Sequence, residues 1–227
     1  MRLGDLMKLI KNDVYRLPIL FVGFIVMSIG ITLIKRSDLG LFAWGVFHDG
    51  LSLVTPYSFG EITRNLGFVI LLFSMIAFKT KFGPGTILNI VIVGWMIDYS
   101  NELIVFIPTS LFHQIILFTI GLFLMTVGKA YYISSKLGAG PRDGLFVGVS
   151  RITKVDVKYV KPGIEVIVLL IGFLLGGVAG VGTIVAMISS GYLIQYFFTL
   201  FHFNPKEEHQ RGFYDYIIAF KNERDQI

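Results

Sequence analysis

The feature that most restricts the fold of this sequence is a series of long apolar segments almost free of charged residues. They span residues 19–33, 66–78, 87–97, 115–127, 164–175 and 181–200. The longer segments approach the roughly 20 residues with which a helix crosses about 30 Å of hydrocarbon. Backbone groups in lipid must bond to one another, and segments without two-residue alternation exclude a transmembrane barrel. The sequence therefore predicts an all-α membrane protein with six transmembrane helices.

Charge and composition agree with this class and exclude several others. Charged residues make up 15% of the chain, and the basic residues behind the net charge of +5 cluster near the ends of the apolar segments. Basic residues at such positions are typical of membrane anchors, so nucleic-acid binding is not expected. The chain has no cysteine, its four histidines lack metal-ligand spacing, and it contains no phosphate-binding loop. We therefore expect no catalysis, no cofactor and no metal site.

The positions of lysine and arginine predict the topology. Four basic residues precede the first apolar segment and four follow the last, which places both termini in the cytoplasm. Lys79 and Lys81 indicate a cytoplasmic turn. Residues 98–114 carry no basic residue, which indicates an external loop, and the basic residues within 129–161 indicate a second cytoplasmic connection. Residues 34–65 are an exception to this distribution of basic residues, because they carry three of them on the predicted external side. The predicted location is the bacterial plasma membrane.

The chain also repeats itself. Residues 23–52 share glycines and other residues with 121–150 at an offset of 98, and residues 83–97 match 180–194 at an offset of 97. Each half holds three predicted spans, an odd number, so the halves enter the membrane in opposite orientations. Such a 3+3 inverted-topology repeat is typical of transporters. The predicted divisions are an amphipathic cytoplasmic segment (1–16), two three-helix repeats (17–107 and 111–201) and a cytoplasmic tail (202–227).

Both ends of the chain have apolar residues at helical spacing beside basic ones. These residues are Leu3, Leu6, Met7 and Ile10 at the start, and Phe213, Tyr216, Ile217 and Phe220 near the end. This pattern predicts short helices that lie on the cytoplasmic surface of the membrane.

After its first span, each half contains a short amphipathic, glycine-rich segment, at residues 37–52 and 135–150. The apolar part of each has about 10–14 residues, which suits a re-entrant or interfacial helix better than a crossing. If both are re-entrant, two half-helices from opposite faces meet near the middle of the membrane, where their dipoles favour a small ion or polar group. If both are interfacial, they lie flat on the surfaces. The sequence leaves these two interpretations open.

The candidate substrate-binding or pore-lining residues belong to these segments and to the spans beside them, because ionisable groups at membrane depth are costly. The segments contribute Trp44, His48, Asp49, Ser52, Arg142, Asp143 and Ser150, and the spans contribute Asn89, Asp98, Glu165 and Gln195. Gln195 is the repeat counterpart of Asp98. Glu165 lies four residues after Lys161, and an ion pair between the two would lower the cost of burial.

Three motifs in the chain carry a family resemblance. The first segment contains Ser-x-Leu-Gly and then Trp-x-x-x-His-x-Gly-Leu-Ser, residues 83–98 contain Gly-Pro-Gly-Thr-x-x-Asn and Gly-x-x-x-Asp, and residues 140–145 are Gly-Pro-Arg-Asp-Gly-Leu. Together they resemble the YczE/YyaS/YitT family of bacterial membrane proteins, in particular its shorter members without a soluble C-terminal domain. Members typically have Pro-Trp-Asp where this chain has Ala-Trp-Gly at residues 43–45, so a role for that aspartate does not transfer. The resemblance implies a bacterial membrane location and architecture rather than an activity.

The repeat and the two short segments predict a small-solute transporter or channel with a central site between two inverted half-helices. Two alternatives are open: a membrane-embedded substrate-binding subunit that docks to a separate energising partner, and a non-transporting accessory or assembly factor. The expected partners are the lipid bilayer and a small molecule or ion. Gly144 and Gly148 allow close helix packing, either within the chain or between copies in a homo-oligomer.

Overall fold

The computed structural model describes residues 5–205, 207–208 and 210–224, and within these ranges the chain is helical and contains no strand. In chain order the helices are α1 (Asp5–Ser37), α2 (Ala43–Val54), α3 (Phe59–Phe78), α4 (Pro84–Leu88), α5 (Gly94–Leu103), α6 (Leu111–Ser134), α7 (Pro141–Thr153), α8 (Val157–Leu174), α9 (Val181–Leu200) and α10 (Phe213–Arg224). A π-helical turn, Asn89–Val93, joins α4 to α5. The predicted all-α class is confirmed.

By length and composition, four helices in the described part of the chain qualify to cross a membrane. They are Met7–Ser37, Phe59–Phe78, Leu111–Ser134 and Val181–Leu200. The other two predicted spans are also helical but differ from a regular crossing. Residues 84–103 are interrupted by the π turn, and α8 carries Lys158, Lys161 and Glu165 within its 18 residues. The six-span arrangement therefore stays a prediction.

The centre of the fold is a close antiparallel crossing of α1 and α6. A Cβ atom on Gly30 would lie 2.2 Å from the backbone nitrogen of Met125, and one on Gly128 would lie 2.4 Å from that of Met27. Small residues allow helix backbones to approach this closely, because a larger side chain would collide with the facing helix. Buried apolar side chains, including Phe24, pack around the crossing. The two helices thus form the framework that holds the shorter ones.

The loops after α1 and α6 interlock the two halves of the chain. The N–H of Gly182 donates to the carbonyl of Leu39 over 2.8 Å, and the N–H of Gly85 donates to that of Leu137 over 2.8 Å. In both loops the next residue is a glycine with a positive φ, +107° in the first and +123° in the second, a conformation that glycine adopts readily. These paired contacts follow the offsets of the sequence repeat, and each loop contacts the opposite half.

The two short helices are exchanged between the halves in the same way. α2 packs on α8, where a Cβ on Gly50 would lie 2.5 Å from the carbonyl oxygen of Gly172, and α7 packs on α3. Gly148 of α7 sits against the ring of Phe78, so this glycine of the predicted packing motif is used within the chain. The exchange brings the first turns of α2 and α7 together at the centre of the molecule.

One contact of the first half has no counterpart in the second. α3 packs tightly on α5, where a Cβ on Gly60 would lie 2.1 Å from the carbonyl oxygen of Gly94. The repeat counterpart of Gly94 is Gly191 of α9, and a Cβ there would meet no atom within 4 Å. α8 and α9, both fully described, do not pack closely on each other. The fold is therefore closed between α3 and α5 and open between α8 and α9.

The N-terminal segment differs from the predicted separate surface helix. α1 runs without a break from Asp5 through Pro18 to Ser37, so the described part of this segment is continuous with the first span. Leu3 and the side chain of Leu6 lie outside the described residues.

The C-terminal helix α10 is attached to α1. The hydroxyl of Tyr216 donates to Oδ2 of Asp13 over 2.6 Å, and Nε of Arg211 lies 3.4 Å from the same oxygen. Burial raises the pKa of Tyr216, and its hydrogen bond to Asp13 adds to the shift. Asp13, at 6% exposure, thus holds the tail against the start of the first long helix.

Candidate functional site

A cavity of about 140 Å³ lies against the first turns of α2 and α7, and we call it the central cavity. Side chains from both halves of the chain form its wall. The polar and charged ones are Trp44, His48, Thr63, Asn89, Lys129, Tyr132, Arg142, Asp143, Lys161, Glu165 and Ser190. Six of the predicted candidates are among them, namely Trp44, His48, Asn89, Arg142, Asp143 and Glu165. The tertiary structure therefore brings residues from both repeat segments and two spans to one place.

A chain of hydrogen bonds runs along the wall of the central cavity, from Arg142 through His48 and Thr63 to a backbone carbonyl. Nη2 of Arg142 lies 3.0 Å from Nε2 of His48, and Nδ1 of His48 lies 2.8 Å from Oγ1 of Thr63. Since arginine can only donate, Nε2 must accept, and the ring proton is assigned to Nδ1. Thr63 then accepts from Nδ1 and donates its own proton to the carbonyl of Phe59 over 2.8 Å. His48 is therefore neutral as long as Arg142 stays in place.

Arg142 also contacts an aromatic face across the cavity. Its guanidinium carbon lies 4.7 Å from the centroid of the Trp44 ring, a cation–π distance. Trp44 is 6% exposed, and its indole Nε1 has no hydrogen-bond partner among the described residues. A buried indole N–H normally has a partner, so this donor is available to a bound molecule.

Both carboxylates of the cavity already have contacts within the protein. Oδ2 of Asp143 accepts the N–H of Gly140 over 3.1 Å and so caps the first turn of α7. Glu165 lies 3.8 Å from Lys161, the ion pair expected from their spacing. Asn89 opens the π turn, and such turns are frequent at functional sites because they shift the helix face that follows.

Sequence reasoning missed Lys129 as a site residue. Lys129 lies two residues after the apolar segment 115–127, within the basic stretch that predicts a cytoplasmic connection, whereas α6 continues to Ser134 and places Lys129 in the cavity wall. The side chain of Lys129 has no hydrogen bond or ion pair with any described residue. Its helical spacing to Met125 and Tyr132, which share its face of α6, is a signal that could have identified it.

Asp49 and Ser52 lie away from the central cavity. Oδ1 of Asp49 is 2.8 Å from Nζ of Lys35, and Oδ2 accepts the N–H of Val178 over 3.2 Å. The hydroxyl of Ser52 donates to the carbonyl of Asp49 over 2.8 Å. These contacts join α2 to the end of α1 and to the loop before α9. In this structure Asp49 connects three elements of the fold.

The remaining three candidates also lie outside the cavity. Asp98 accepts the hydroxyl of Ser58 over 2.5 Å and the N–H of Gly60 over 2.9 Å, which ties α5 to the start of α3. Ser150 donates to the carbonyl of Val155 over 2.6 Å near the end of α7. The side chain of Gln195 is exposed on α9.

A second, larger cavity lies on the other side of the first turn of α7. Its volume is about 500 Å³, and it shares Gly140, Pro141 and Asp143 with the central cavity. Its charged lining residues are Lys79, Lys81, Asp143, Arg151, Arg211 and Asp215. We call this space the basic vestibule. The first turn of α7 is the wall between the vestibule and the central cavity.

Comparison with known proteins identifies the family. Residues 14–199 match the family described as "Family of unknown function (DUF6198)". The chain belongs to this family. An uncharacterised protein of Haemophilus influenzae is 34% identical over 184 residues, which cover 81% of this chain and 84% of the relative. No solved structure matches the chain.

Two relatives from Bacillus subtilis bear the names expected from the sequence motifs. The uncharacterised membrane protein YczE is 31% identical over 184 residues, covering 81% of this chain and 85% of YczE. The uncharacterised protein YyaS is 23% identical over 197 residues, covering 85% of this chain and 96% of YyaS. The predicted resemblance is thus confirmed. The chain is a membrane protein of an uncharacterised family, and its environment is the lipid bilayer.

Proposed function

We propose that the protein is a small-solute transporter of the bacterial plasma membrane, with the central cavity as its solute site and both termini in the cytoplasm. No catalytic step is part of this proposal. The observation that carries it is a difference between two helix pairs that the sequence repeat makes equivalent. The closed pair α3–α5 has an open counterpart in α8–α9, and the central cavity lies beside that opening.

The proposed architecture is a six-span inverted repeat with two re-entrant helices. The antiparallel crossing of α1 and α6 and the exchanged contacts of α2 and α7 support a pseudo-two-fold axis in the membrane plane. Lys161 and Glu165 of α8 line the cavity, which removes the main objection to counting α8 as a span. Residues 43–46 and 48–50 of α2 are all buried, whereas a helix lying flat on a membrane has one polar, solvated face.

Alternating access would result if the α3–α5 contact opened while the equivalent contact between α8 and α9 formed. In the first half, Asp98 accepts from Ser58 and holds α5 on α3. The repeat counterparts of these residues are Gln195 on α9 and Asp156 at the start of α8. Closure of α8 on α9 would let the amide of Gln195 donate to the carboxylate of Asp156, the same kind of contact with donor and acceptor reversed. We propose that the two gates close in turn, and that the gate open here faces the cytoplasm.

The test uses pairs of introduced cysteines to trap the state in which α8 is closed on α9. The chain has no cysteine of its own, so only the introduced pair can react. The variant Asp156→Cys with Gln195→Cys is treated in membranes with a short, cleavable cross-linker that reacts with two thiols. Its matched control is Asp156→Cys with Tyr196→Cys, because Tyr196 is also exposed but lies about 100° around α9 from Gln195. The proposal predicts faster cross-linking of the first pair. It also predicts that cross-linking this pair stops solute flux into liposomes, and that flux returns when the link is cleaved.

The other outcomes separate the alternatives. Equal cross-linking of the two pairs would rule out alternating closure. Tight binding of a solute without flux by the pure protein would replace transport with the binding-subunit interpretation. The absence of both, together with a co-purifying protein, would favour an accessory factor and refute transport.

A further inference from the structure

We infer that the solute is a small monocarboxylate with an apolar body, bound in the central cavity through Lys129 and Arg142. This inference rests on the proposed function only in taking the central cavity as the solute site. The carboxylate would occupy the space between the two cations, and the apolar body would fill the rest of the cavity.

The charges of the cavity favour an anion. Three cations line it, Lys129, Arg142 and Lys161, against the two carboxylates of Asp143 and Glu165. His48 adds no charge, because its Nε2 accepts from Arg142. One positive charge therefore has no counter-charge in a space surrounded by protein and lipid. An uncompensated charge in such a space is costly, and a bound monoanion would compensate it.

Among the three cations of the cavity, Lys129 is the one whose side chain has no partner in the part of the chain that the structure describes. Lys161 lies 3.8 Å from Glu165, and Arg142 has His48 and the face of Trp44. The side chain of Lys129 is partly buried and makes no hydrogen bond or ion pair with any described residue, although the charges of Asp143 and Glu165 act on it at longer range. Its ammonium group carries three donors, and a carboxylate is an acceptor that can satisfy two of them.

Further donors converge on the same space. Arg142 has five N–H groups, and only the one to His48 has a hydrogen-bond partner among the described residues. The indole Nε1 of Trp44, in a side chain more than nine-tenths buried, is a second unpartnered donor. One oxygen of each carboxylate already has a contact, Oδ2 of Asp143 with the N–H of Gly140 and Oε1 of Glu165 with Lys161. A ligand that accepts hydrogen bonds fits this set better than one that donates them.

The size and the remaining lining of the cavity describe the rest of the ligand. Most of the wall is apolar, formed by residues such as Met27, Ile31, Ile90, Met125 and Phe146. The volume of about 140 Å³ is close to that of an engineered apolar cavity of about 150 Å³ that binds benzene. An inorganic monoanion would leave most of this space empty. A six-membered ring or a short branched chain bearing one carboxylate fills it.

The test uses benzoate as the probe and a single tryptophan as the reporter. The chain has two tryptophans, and Trp95 is 56% exposed, so the variant Trp95→Phe leaves Trp44 as the only indole. Purified full-length protein in detergent is titrated with benzoate while the Trp44 emission is recorded. Benzamide, a neutral molecule of the same shape, and benzylamine, its cationic counterpart, are titrated in parallel. We expect a saturable change with benzoate and at least tenfold weaker binding of the other two.

Variants in the same background locate the site. Lys129→Met should weaken benzoate binding at least tenfold, whereas Lys129→Arg, which keeps the charge, should recover most of it. Lys8→Met, which removes an exposed lysine of α1, is the matched control and should bind like the parent. Equal benzoate affinity in Lys129→Met and the parent would overturn the assignment of this site, and so would equal binding of benzoate and benzamide. Stronger binding of nitrate or thiocyanate than of benzoate would refute the apolar body.

Binding and transport fail in different ways. Benzoate binding that depends on Lys129, without flux into liposomes, would support this inference and refute the transporter proposal. Flux of neutral solutes at rates unaffected by Lys129→Met would support transport and refute the monocarboxylate.

Discussion

Replacing Asp49 by asparagine should destabilise the protein and leave benzoate binding unchanged. Asp49 is 5% exposed and bonds to both Lys35 and the backbone N–H of Val178. The asparagine amide can still accept from Val178 but cannot neutralise Lys35. Because α2 carries Trp44 and His48 on a different face, we expect loss of stability without loss of the solute site.

The size of the effect follows from the burial of the two partners. Removing one partner of a fully buried ion pair costs about 3–5 kcal/mol. The side chain of Lys35 keeps 29% exposure, and one of the two contacts of Asp49 survives. We therefore expect a loss of about 2 kcal/mol in the free energy of unfolding. For a chain of this size, that loss lowers Tm by roughly 4–8 °C.

The assay is a double-mutant cycle on purified protein in one detergent. The Tm values of Asp49→Asn, Lys35→Met and the double variant are compared, with Glu102→Gln as a control for an exposed acid on α5. The double variant should lose about as much stability as the worse single variant, because the two changes break the same contact. Losses that add to within about 0.5 kcal/mol would refute the ion pair as the cause. A wild-type Tm with lost benzoate binding would place Asp49 in the solute site and refute the reasoning from its contacts.

Two further predictions concern the helix crossing and the C-terminal helix. Gly30→Ala should lower the free energy of unfolding by at least about 2 kcal/mol, because the added Cβ would lie 2.2 Å from the facing backbone. The control Gly163→Ala, beside open space, should be neutral or stabilise by up to about 1 kcal/mol. Equal Tm values for the two variants would contradict the close crossing of α1 and α6. Tyr216→Phe removes the hydrogen bond to Asp13, worth about 1 kcal/mol, and should speed proteolytic removal of α10 at pH 8 about fivefold. Because the folded pKa of Tyr216 is raised, the wild-type protection should be complete below its unfolded value of about 10 and be lost only as pH rises through the raised value. A wild-type helix released at pH 9 would contradict the shift.

Much of the helical framework could be predicted because long apolar segments leave few alternatives in lipid. The segments at residues 19–33, 115–127 and 181–200 lie inside α1, α6 and α9. The π turn at residues 89–93 was not predictable, since its local sequence is an ordinary run of apolar residues after Asn89. A shift in hydrogen bonding of this kind depends on what the helix packs against.

The candidate site was predicted in part, and the misses have a geometric cause. Successive residues on a helix are separated by about 100° of rotation, so neighbours in sequence face different surroundings. His48 therefore lines the central cavity, while Asp49 turns toward Lys35. Lys129 was missed because the sequence does not show how far α6 extends beyond its apolar segment. One extra turn moves this lysine from a surface anchor into the cavity wall.

The apolar segments, read from the sequence alone, determined an all-helical membrane protein, and three short motifs gave its resemblance to a family. The offset matches within the sequence predict two related halves. Hydrophobicity and spacing are local properties, and lipid permits few backbone solutions for them. Only the tertiary structure decided which half each short helix packs on. Gly50 meets Gly172 and Gly148 meets Phe78 across more than 60 residues of chain, and spacing cannot reveal such partners. The central cavity, with Lys129 in its wall, lies where that exchange brings the first turns of α2 and α7 together. The opening between α8 and α9 is a difference between the halves that the sequence repeat does not predict.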